Sequence, residues 1–363
     1  MNTAVWYGPR GSNRLATYLL YPLLASTHFR EFRFARDLSD LLRLGRERKT
    51  HAAVLLGNAS DLLRSRQLTL DKLDQVRQEY ARVAFFDATP NPLQIDKEVL
   101  ARVDVYFKSA VYHDLKVYLR PIVGGTVWSD WFHRNVQPLD LPAVSTGLEA
   151  RDLVKLRSAW NIGYGLYPRS TVTKRLPPLL ERWPGPRVST WLRPKVPRFL
   201  GESKRRPGVH ARMTTTGQGE AMRVHREHFI HKASVIPTAL IGKASRREYQ
   251  KEIRSVTSVL SPFGLGEPCY RDFEAVQCGA VLLKPAMTHV KTWPNVYSQS
   301  DSIPLAWDGS DIAEAYVRAL DPEFSRSLTK SAYGRFSEAY RDLEKYVESF
   351  MSEVYGHSGS YGV

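Results

Sequence analysis

Arg271 and Glu274 stand three positions apart at the start of a predicted helix, and together they have the chemistry to bind a nucleotide. On a helix this spacing places both side chains on one face. A guanidinium can hold a diphosphate with two parallel hydrogen bonds, and a carboxylate one turn later can accept hydrogen bonds from ribose hydroxyls. The pair predicts a site for a nucleoside diphosphate.

The residues around this pair are typical of a loop, a short helix and a buried strand. Gly264 and Gly266 allow tight turns before the helix, whose first N–H groups would attract anionic oxygen. Gly279 ends the helix, and the Ala-Val-Leu-Leu that follows is typical of a strand buried on both faces. The alternative is an ordinary helix-to-strand unit in which Arg271 and Glu274 form a surface ion pair.

The segment from Pro262 to Pro285 resembles the donor-binding motif of GT-B glycosyltransferases, in the branch of CgeB-like and exostosin-like sequences. The motif is Pro-x-Gly-x-Gly, a few residues, Arg-x-x-Glu-Ala, then Cys-Gly and a hydrophobic strand ending in Pro. It is matched by Pro262, Gly264, Gly266, Arg271, Glu274, Ala275, Cys278, Gly279 and Pro285. Better-known retaining families place a second glutamate eight residues earlier, where this chain has Gly266. The sugar-binding role of that glutamate is therefore not transferred to Glu267.

A second segment gives the resemblance an independent anchor. Residues 103–108, followed by Asp114 and Tyr118, resemble the family's recurrent Asp-x-Tyr-x-Lys segment with its downstream Asp and Tyr. The resemblance covers residues 80–120 and 205–300, and the other regions match mainly in order and length.

Length and composition are those of a two-domain globular protein. The chain has 363 residues, of which 43% are hydrophobic and 25% charged. No run approaches the roughly 20 apolar residues that span a bilayer, and no signal-peptide pattern opens the chain. Cys269 and Cys278 fall within one predicted helix and turn, so a disulfide between them is not expected. We expect a cytoplasmic protein.

The charge predicts an anionic partner. Fifty-two Lys and Arg residues against 37 Asp and Glu leave a net charge of +15 and a pI near 9.7. This excess is larger than one small ligand requires, which favours an anionic membrane surface or an acidic acceptor in addition to the donor. Nucleic acid is less favoured because no zinc-finger spacing or RNA-recognition aromatic motif occurs. The alternative is that the charge only maintains solubility.

Short apolar segments alternate with helical ones and predict an α/β fold. Predicted strands at residues 3–7, 52–57 and 82–87 favour a parallel sheet with helices on both faces, where ligands bind beyond the carboxyl ends of the strands. The resemblance implies two Rossmann-like domains that face a central cleft, with a C-terminal helix that crosses back to the first domain. The predicted parts are an acceptor-side domain at 1–190, a nucleotide-sugar-binding domain at 191–330 and the returning helix at 331–363.

The resemblance also implies the groups that would stabilise a leaving diphosphate, namely arginines and a helix N-terminus without an obligatory metal. Arg212 matches the family's strand-end arginine, and Lys243 is a weaker addition. The alternatives are an ion pair for Arg212 and simple solvation for Lys243. The predicted donor-binding residues are Arg212, Lys243, Gly264, Gly266, Tyr270, Arg271 and Glu274.

An inverting enzyme needs a general base within hydrogen-bond reach of the acceptor hydroxyl. Asp87 is the first candidate because it ends a predicted strand, and His113 and Asp114 follow. Each has a structural alternative: Asp87 and Asp114 are also suited to capping a turn. A retaining enzyme would need no such base.

Trp128 and Trp131 lie in an aromatic cluster beside polar residues, which suits stacking on an acceptor sugar. Core or domain-interface packing is the alternative. His225, His228 and His231 share three-residue spacing, but such triplets are more typical of a solvated helix face than of a zinc site. We therefore expect no metal and no cofactor beyond the nucleotide-sugar co-substrate.

These observations favour a glycosyltransferase that moves a sugar from a nucleotide donor to an acceptor hydroxyl in glycan, glycolipid or natural-product assembly. Two other classes stay open. One is a non-catalytic protein of the same fold that serves as a partner subunit or binds glycans. The other is a basic nucleic-acid-binding protein, whose affinity would fall steeply with salt.

Overall fold

Parallel strands and the helices between them make up most of the computed structural model, which describes residues 2–8, 17–48, 50–164, 199, 205–217 and 219–356. The strands are β1 (Thr3–Tyr7), β2 (Phe32–Ala35), β3 (Ala52–Gly57), β4 (Arg82–Asp87), β5 (Val105–Lys108), β6 (Ala110–Tyr112), β7 (Ile122–Val123), β8 (Ala143–Val144), β9 (Leu156–Ser158), β10 (Arg206–His210), β11 (Ala239–Leu240), β12 (Val256–Leu260), β13 (Val281–Pro285), β14 (Val290–Thr292) and β15 (Ile303–Leu305).

The α-helices follow the strands in alternation. They are α1 (Thr17–Ala25), α2 (Leu38–Arg46), α3 (Ala59–Arg64), α4 (Leu70–Glu79), α5 (Lys97–Ala101), α6 (Val127–Asn135), α7 (Ala150–Leu153), α8 (Glu220–Ala233), α9 (Arg246–Ile253), α10 (Tyr270–Cys278), α11 (Ile312–Ala319), α12 (Pro322–Arg341) and α13 (Leu343–Tyr355). Short 3-10 turns occur at Thr27–Glu31, Leu115–Leu119 and Ile162–Tyr164. No helix within the described ranges is both long enough and apolar enough to cross a membrane.

The chain divides into two compact units. The first takes its described residues from Met1–Val111, Thr146–Lys195 and Ala339–Val363, and the second from Tyr112–Ser145 and Val196–Glu338. The sequence-based division placed everything up to residue 190 in the first domain, whereas Tyr112–Ser145 groups with the second unit. Helix α6 explains the difference, because its apolar side chains pack against α8 of that unit.

The first unit contains a parallel sheet. Its strand order, over the described residues, is β2-β1-β3-β4-β5-β9. Every residue of β3 is buried, and alternate residues of a strand point to opposite faces, so both faces of the sheet are covered. Helix α13 belongs to this unit, where Phe350 lies 4.4 Å from Phe107 and 6.1 Å from Phe86 between ring centroids.

The second unit repeats this plan. Its described strands form a parallel sheet in the order β11-β10-β12-β13-β15. Val209, Leu260 and Leu283 from neighbouring strands are fully buried with Phe229 of α8 and Ile312 of α11. Burial of each such side chain contributes about 1.5–3 kcal/mol.

Strand order shows where each sheet can bind a ligand. In both sheets the first strand of the unit lies between the second and the third, so the connections reverse direction between the first and third strands. This is the order of doubly wound Rossmann-like sheets, which bind ligands at the carboxyl ends of the strands where the reversal occurs. The predicted fold class of two Rossmann-like α/β domains is confirmed.

Candidate functional site

The reversal point of the second sheet lies between β10 and β12, and two loops leave it there. One loop follows β10 and leads into α8, and the other follows β12 and leads into α10. Two helices therefore begin at this edge, and helix N-termini favour anions. The predicted donor motif occupies the second loop and the first turn of α10.

Helix α10 is fixed at its start by a buried carboxylate, Asp272. This residue accepts hydrogen bonds from the N–H of Cys269 at 2.7 Å, from Tyr297 Oη at 2.9 Å and from the hydroxyl of Ser261. It also forms a buried ion pair with Lys284, whose Nζ lies 3.0 Å away. Both side chains are shielded from water, so the pair holds the loop and the helix start in one arrangement.

The sequence analysis did not predict that Asp272 and Lys284 fix the start of α10. Asp272 stands between the two motif residues, and Lys284 is the penultimate residue of the motif strand. An acidic residue three positions after a helix cap is a recognisable capping pattern, so the role of Asp272 could have been inferred. The partner on β13 could not, because it depends on the pairing of distant strands.

Arg271 lies in the first turn of α10 without a carboxylate partner. Its Nη2 donates to the backbone oxygen of Arg212 at 2.6 Å, and its Nε is buried with no hydrogen-bond partner among the described residues. No ion pair links Arg271 to Glu274 in the described part of the chain, which argues against the surface-pair alternative. The guanidinium donates to a backbone oxygen and has no ion-pair partner among the described residues.

A second guanidinium, that of Arg226 on α8, lies beside the loop that leads to α10, where a Cβ at Gly264 would be 3.7 Å from its Nη2. Its Nη1 donates to the backbone oxygen of Thr214 at 2.6 Å, and it forms no ion pair within the described ranges. Burial lowers the pKa of Arg226, and the positive charge of Arg271 lowers it further. Two guanidiniums beside one loop that form no ion pair with the described residues favour binding of a polyanion.

Arg226 was not among the predicted site residues. In the sequence it follows a glycine-bearing loop on a helix rich in charge, and nothing distinguishes it there from Arg223. The structure does distinguish them, because Arg223 is exposed and pairs with Glu227 at 2.8 Å.

Glu274 lies one turn after Arg271 and is half-buried. Its Oε2 accepts a hydrogen bond from Tyr249 Oη at 2.8 Å. Burial raises the pKa of Tyr249, so the phenol stays protonated and donates. The other oxygen, Oε1, accepts no hydrogen bond from the described residues and can receive two hydroxyl groups of a ribose.

Arg212 has a different role from the predicted one. Its Nε and Nη2 donate to the two carboxylate oxygens of Glu252 at 3.0 and 2.7 Å, and its Nη1 donates to the backbone oxygen of Ile241. Hydrogen bonds from Arg212 lower the pKa of Glu252. Because the guanidinium is committed to this ion pair, Arg212 contributes to the site through its backbone oxygen, which positions Arg271.

The other predicted donor residues lie around this centre. Lys243 is exposed, and only its backbone oxygen is engaged, by Arg212 at 3.4 Å. The N–H of Gly264 donates to the backbone oxygen of Gly266 at 3.1 Å. A Cβ at Gly264 would lie 3.1 Å from Cys269 Sγ and 3.7 Å from Arg226 Nη2, so the loop approaches α8 closely there. Tyr270 is the first residue of α10 and is half-buried.

The first unit does not offer Asp87 as a base. The carboxylate is 1% exposed and accepts hydrogen bonds from Tyr106 Oη at 2.8 Å, from Thr89 Oγ1 at 2.7 Å and from the Thr89 N–H at 3.0 Å. Lys108 Nζ lies 3.1 Å away in a buried ion pair. The prediction of catalysis by Asp87 is corrected, because its oxygens are occupied in tying β4 to β5.

His113 and Asp114 are both exposed and belong to the second unit. The N–H of His113 donates to the backbone oxygen of His289 at 3.0 Å. Asp114 caps the Leu115–Leu119 turn by accepting from the N–H of Lys116 at 3.0 Å. Asp114 therefore has the geometry of a residue that caps a turn, which was the alternative to a catalytic role.

The two predicted acceptor tryptophans have different environments. Trp128 is 2% exposed and packs against His225 with ring centroids 4.6 Å apart, so it is a core residue and cannot stack on an acceptor. Trp131 is half-buried and meets Trp307 edge to face at 5.5 Å. Only Trp131 keeps a surface that an acceptor sugar can contact.

The histidine triplet of α8 does not converge. His225 is buried, His228 bonds to the backbone oxygen of Asp308 at 2.7 Å and His231 is exposed. No group of His, Cys, Asp or Glu side chains among the described residues has the arrangement of a metal site.

Another buried polar group lies beside the donor loop. Glu267 is fully buried, and its Oε1 accepts a hydrogen bond from Tyr112 Oη. His289 Nε2 lies 3.9 Å from the same oxygen, and Lys284 Nζ donates to the Glu267 backbone oxygen at 2.6 Å. The motif comparison had set Glu267 aside, and only the fold shows that it meets Tyr112 and His289.

Comparisons with known proteins give similarity of fold only. No protein-family model matches the sequence, and no curated protein matches it. A glycosyltransferase structure from Rickettsia africae is 7% identical, with 98% of this chain and 99% of that one covered and a TM-score of 0.46. The Anabaena HepE structure with UDP and glucose is 8% identical, and the match covers 97% of this chain and 100% of that one, with a TM-score of 0.45. Sucrose-phosphate synthase from Thermosynechococcus elongatus is 11% identical, and the match covers 99% of this chain and 100% of that one, with a TM-score of 0.42. Identities and scores this low carry no activity over to the chain, so the functional argument depends on the site.

Proposed function

We propose that the second unit binds a nucleoside diphosphate sugar and that the protein transfers the sugar to an acceptor hydroxyl. The observation that carries the proposal is the pair Arg226 and Arg271. Both guanidiniums are held by backbone oxygens at the carboxyl edge of a Rossmann-like sheet, and neither has a carboxylate partner among the described residues. Glu274, with one oxygen unengaged, lies one helical turn away.

The arrangement matches two parts of a nucleotide donor, the diphosphate and the ribose. The two guanidiniums and the first turn of α10 would hold the diphosphate, and Glu274 Oε1 would accept from the ribose hydroxyls. In the transfer, the bond between the anomeric carbon and the diphosphate oxygen breaks while the acceptor oxygen forms a bond to that carbon. The diphosphate leaves with the electron pair, and the proton of the acceptor hydroxyl passes to an oxygen of the leaving diphosphate or to water. Arg226 and Arg271 would stabilise the charge that develops on the leaving oxygen.

On the acceptor side the proposal is broader. The net charge of +15 favours an acidic glycan, a lipid-linked acceptor or an anionic membrane surface as a partner. We propose a metal-independent reaction at a peripheral, cytoplasmic location, in glycan, glycolipid or natural-product assembly. The CgeB-like and exostosin-like branch is the proposed relationship, on the motif residues given above.

Thermal unfolding with UDP, GDP, dTDP and CMP derivatives tests the donor site. A ligand at about 100 times its dissociation constant stabilises the native state by about 2.7 kcal/mol. One nucleotide should raise the melting temperature of the wild type, and Arg271→Ala and Glu274→Ala should each remove the rise. Arg223→Ala is the matched control, since it removes an exposed, paired arginine from the same unit.

Equal shifts in Arg271→Ala and in the wild type would contradict the proposed donor site. Product analysis with the nucleotide sugar and candidate acceptors then tests transfer. Nucleotide binding without hydrolysis or transfer would instead support a non-catalytic binding protein.

A further inference from the structure

Helix α9 presents a row of cations to solvent. Arg247, Lys251 and Arg254 follow one another at spacings of four and three residues, which places them on one side of the helix, and all three are exposed. We call this row the cationic face of α9. It is about 10 Å long, close to the Debye length of about 8 Å at physiological salt. Neighbouring charges of the row therefore attract an anion together.

This face lacks the ion pairs that other exposed helical arginines form. Three of those pair with an acidic side chain three or four positions away on their own helix, namely Arg43, Arg64 and Arg223. On α9 both acidic side chains are directed elsewhere, since Glu248 and Glu252 lie 3.9 and 2.7 Å from Arg212. Arg247 and Lys251 form no ion pair within the described ranges.

The row is not explained by the stability of the helix. Lys251 and Arg254 lie at its C-terminus, where the helix dipole favours cations, but Arg247 lies in the first turn, where the dipole disfavours them. Arg247 and Lys251 are also like charges four positions apart, an arrangement that destabilises a helix. A cation that its own helix does not stabilise needs another explanation, and an external anionic partner supplies one.

The opposite side of α9 supports the donor site. Tyr249 Oη donates to Glu274 at 2.8 Å, and Glu252 accepts from Arg212, whose backbone oxygen accepts from Arg271. Glu252 is buried and Tyr249 is half-buried, whereas the cationic face is open to solvent. One short helix therefore holds the donor-binding residues on its inner side and cations on its outer side. A partner bound to the cations is brought close to the donor.

The chemistry of this face suits a lipid surface better than an acidic polymer. The one aromatic residue of α9, Tyr249, is half-buried and engaged with Glu274, so bases or sugars of a polymer find no exposed ring on this helix to stack on. Anionic lipid headgroups require only positive charge near their surface. The net charge of +15 strengthens the attraction.

We infer that the cationic face of α9 binds an anionic membrane through its lipid headgroups. The inference rests on the proposed function for its purpose, because a membrane-bound second unit would meet a lipid-linked acceptor where the donor is held. The contact is electrostatic, so it is reversible and sensitive to salt.

Sedimentation of the full chain with lipid vesicles tests the surface. One set of vesicles is phosphatidylcholine alone, and the other is phosphatidylcholine and phosphatidylglycerol in equal parts. The wild type should sediment with the anionic vesicles only, and added salt should release it. The double variant Arg247→Gln, Lys251→Gln should bind the anionic vesicles roughly 25-fold more weakly, because each cation near an anionic surface contributes about fivefold.

The matched control is the double variant Arg43→Gln, Arg64→Gln. It removes the same two charges from exposed helical positions of the first unit, where both arginines are ion-paired. Its vesicle binding should change by less than about twofold. Thermal unfolding with the nucleotide is the second readout, and the α9 double variant should keep the nucleotide-induced rise in melting temperature, which also shows that it folds.

Three results would overturn the inference alone: equal binding of the wild type to the two kinds of vesicle, equal losses in the two double variants, or binding of the wild type to duplex DNA but not to anionic vesicles. Absence of any nucleotide-induced rise in the wild type, with vesicle binding that still depends on Arg247 and Lys251, would instead overturn the proposed donor site and leave the membrane contact.

Discussion

Both Rossmann-like units place charged side chains near the carboxyl edge of a parallel sheet, yet their charged groups have different surroundings. In the first unit Asp87 and Lys108 satisfy each other, with further hydrogen bonds from Tyr106 and Thr89. In the second unit Arg226 and Arg271 each donate to a backbone oxygen, and neither forms an ion pair with the described residues. A charge at this edge is therefore structural where the fold neutralises it, and we propose that it binds a ligand where the fold does not.

Removal of Lys108 should have the largest effect on stability. Lys108→Met leaves the Asp87 carboxylate buried without a cation, and loss of one partner of a buried pair costs about 3–5 kcal/mol. Urea denaturation measures the change. Lys116→Met, at an exposed position, should stay within about 0.5 kcal/mol of the wild type. A loss below about 1 kcal/mol in Lys108→Met would show that the first unit's charges are not structural.

Acid should destabilise the second unit through its buried histidines. Burial lowers the pKa of His210 to about 4 and that of His225 to about 3. Between these values and 6.5 the unfolded chain binds more protons than the folded one. The contribution of the two neutral histidines to the free energy of unfolding is therefore complete above pH 6.5. It is lost as the pH falls towards about 4 and below. Full protonation of His210 alone should lower the free energy of unfolding by about 3 kcal/mol.

Denaturation of the wild type and of His210→Gln at pH 7 and pH 4.5 isolates the effect of His210. The stability difference between the two pH values should be smaller in the variant, because one titrating group is gone. An identical pH dependence in both proteins would contradict the assignment of His210 as a buried neutral side chain.

Substitution of Arg212 tests whether its side chain stabilises the second unit or binds the nucleotide. Arg212→Ala should lower stability by about 2 kcal/mol, since Glu252 loses two charge-assisted hydrogen bonds. Its nucleotide affinity should fall no more than about threefold, because the backbone oxygen that positions Arg271 remains. Loss of nucleotide binding equal to that in Arg271→Ala would restore the diphosphate role predicted from the sequence.

Arg271 should show the smallest effect on stability. Arg271→Ala removes one hydrogen bond to a backbone oxygen and no ion pair among the described residues, so stability without nucleotide should fall by no more than about 1 kcal/mol. Urea denaturation at neutral pH checks this. A loss above about 2 kcal/mol would show that Arg271 is a structural residue like Lys108.

The sequence was informative where local pattern decides the outcome. Alternation of apolar strands with helices predicted a parallel sheet with helices on both faces, and the spacing of Arg271 and Glu274 predicted two groups on one helix face. The sequence did not show which charged side chains form ion pairs. Asp87 and Asp114 have the same side chain, and only tertiary contacts show that Asp87 is in a buried ion pair and that Asp114 caps a turn. Arg226 and Glu267 were missed for the same reason, since the groups that fix their roles lie far away in the chain.

Titration of the identified nucleotide into the wild type, Arg226→Ala, Arg271→Ala and Arg223→Ala tests the central claim most directly. If two unpaired guanidiniums bind the diphosphate, Arg226→Ala and Arg271→Ala should each weaken binding roughly tenfold or more, and Arg223→Ala should leave it unchanged. Equal affinity in all four proteins, or the same loss in Arg223→Ala as in Arg226→Ala, would contradict the account.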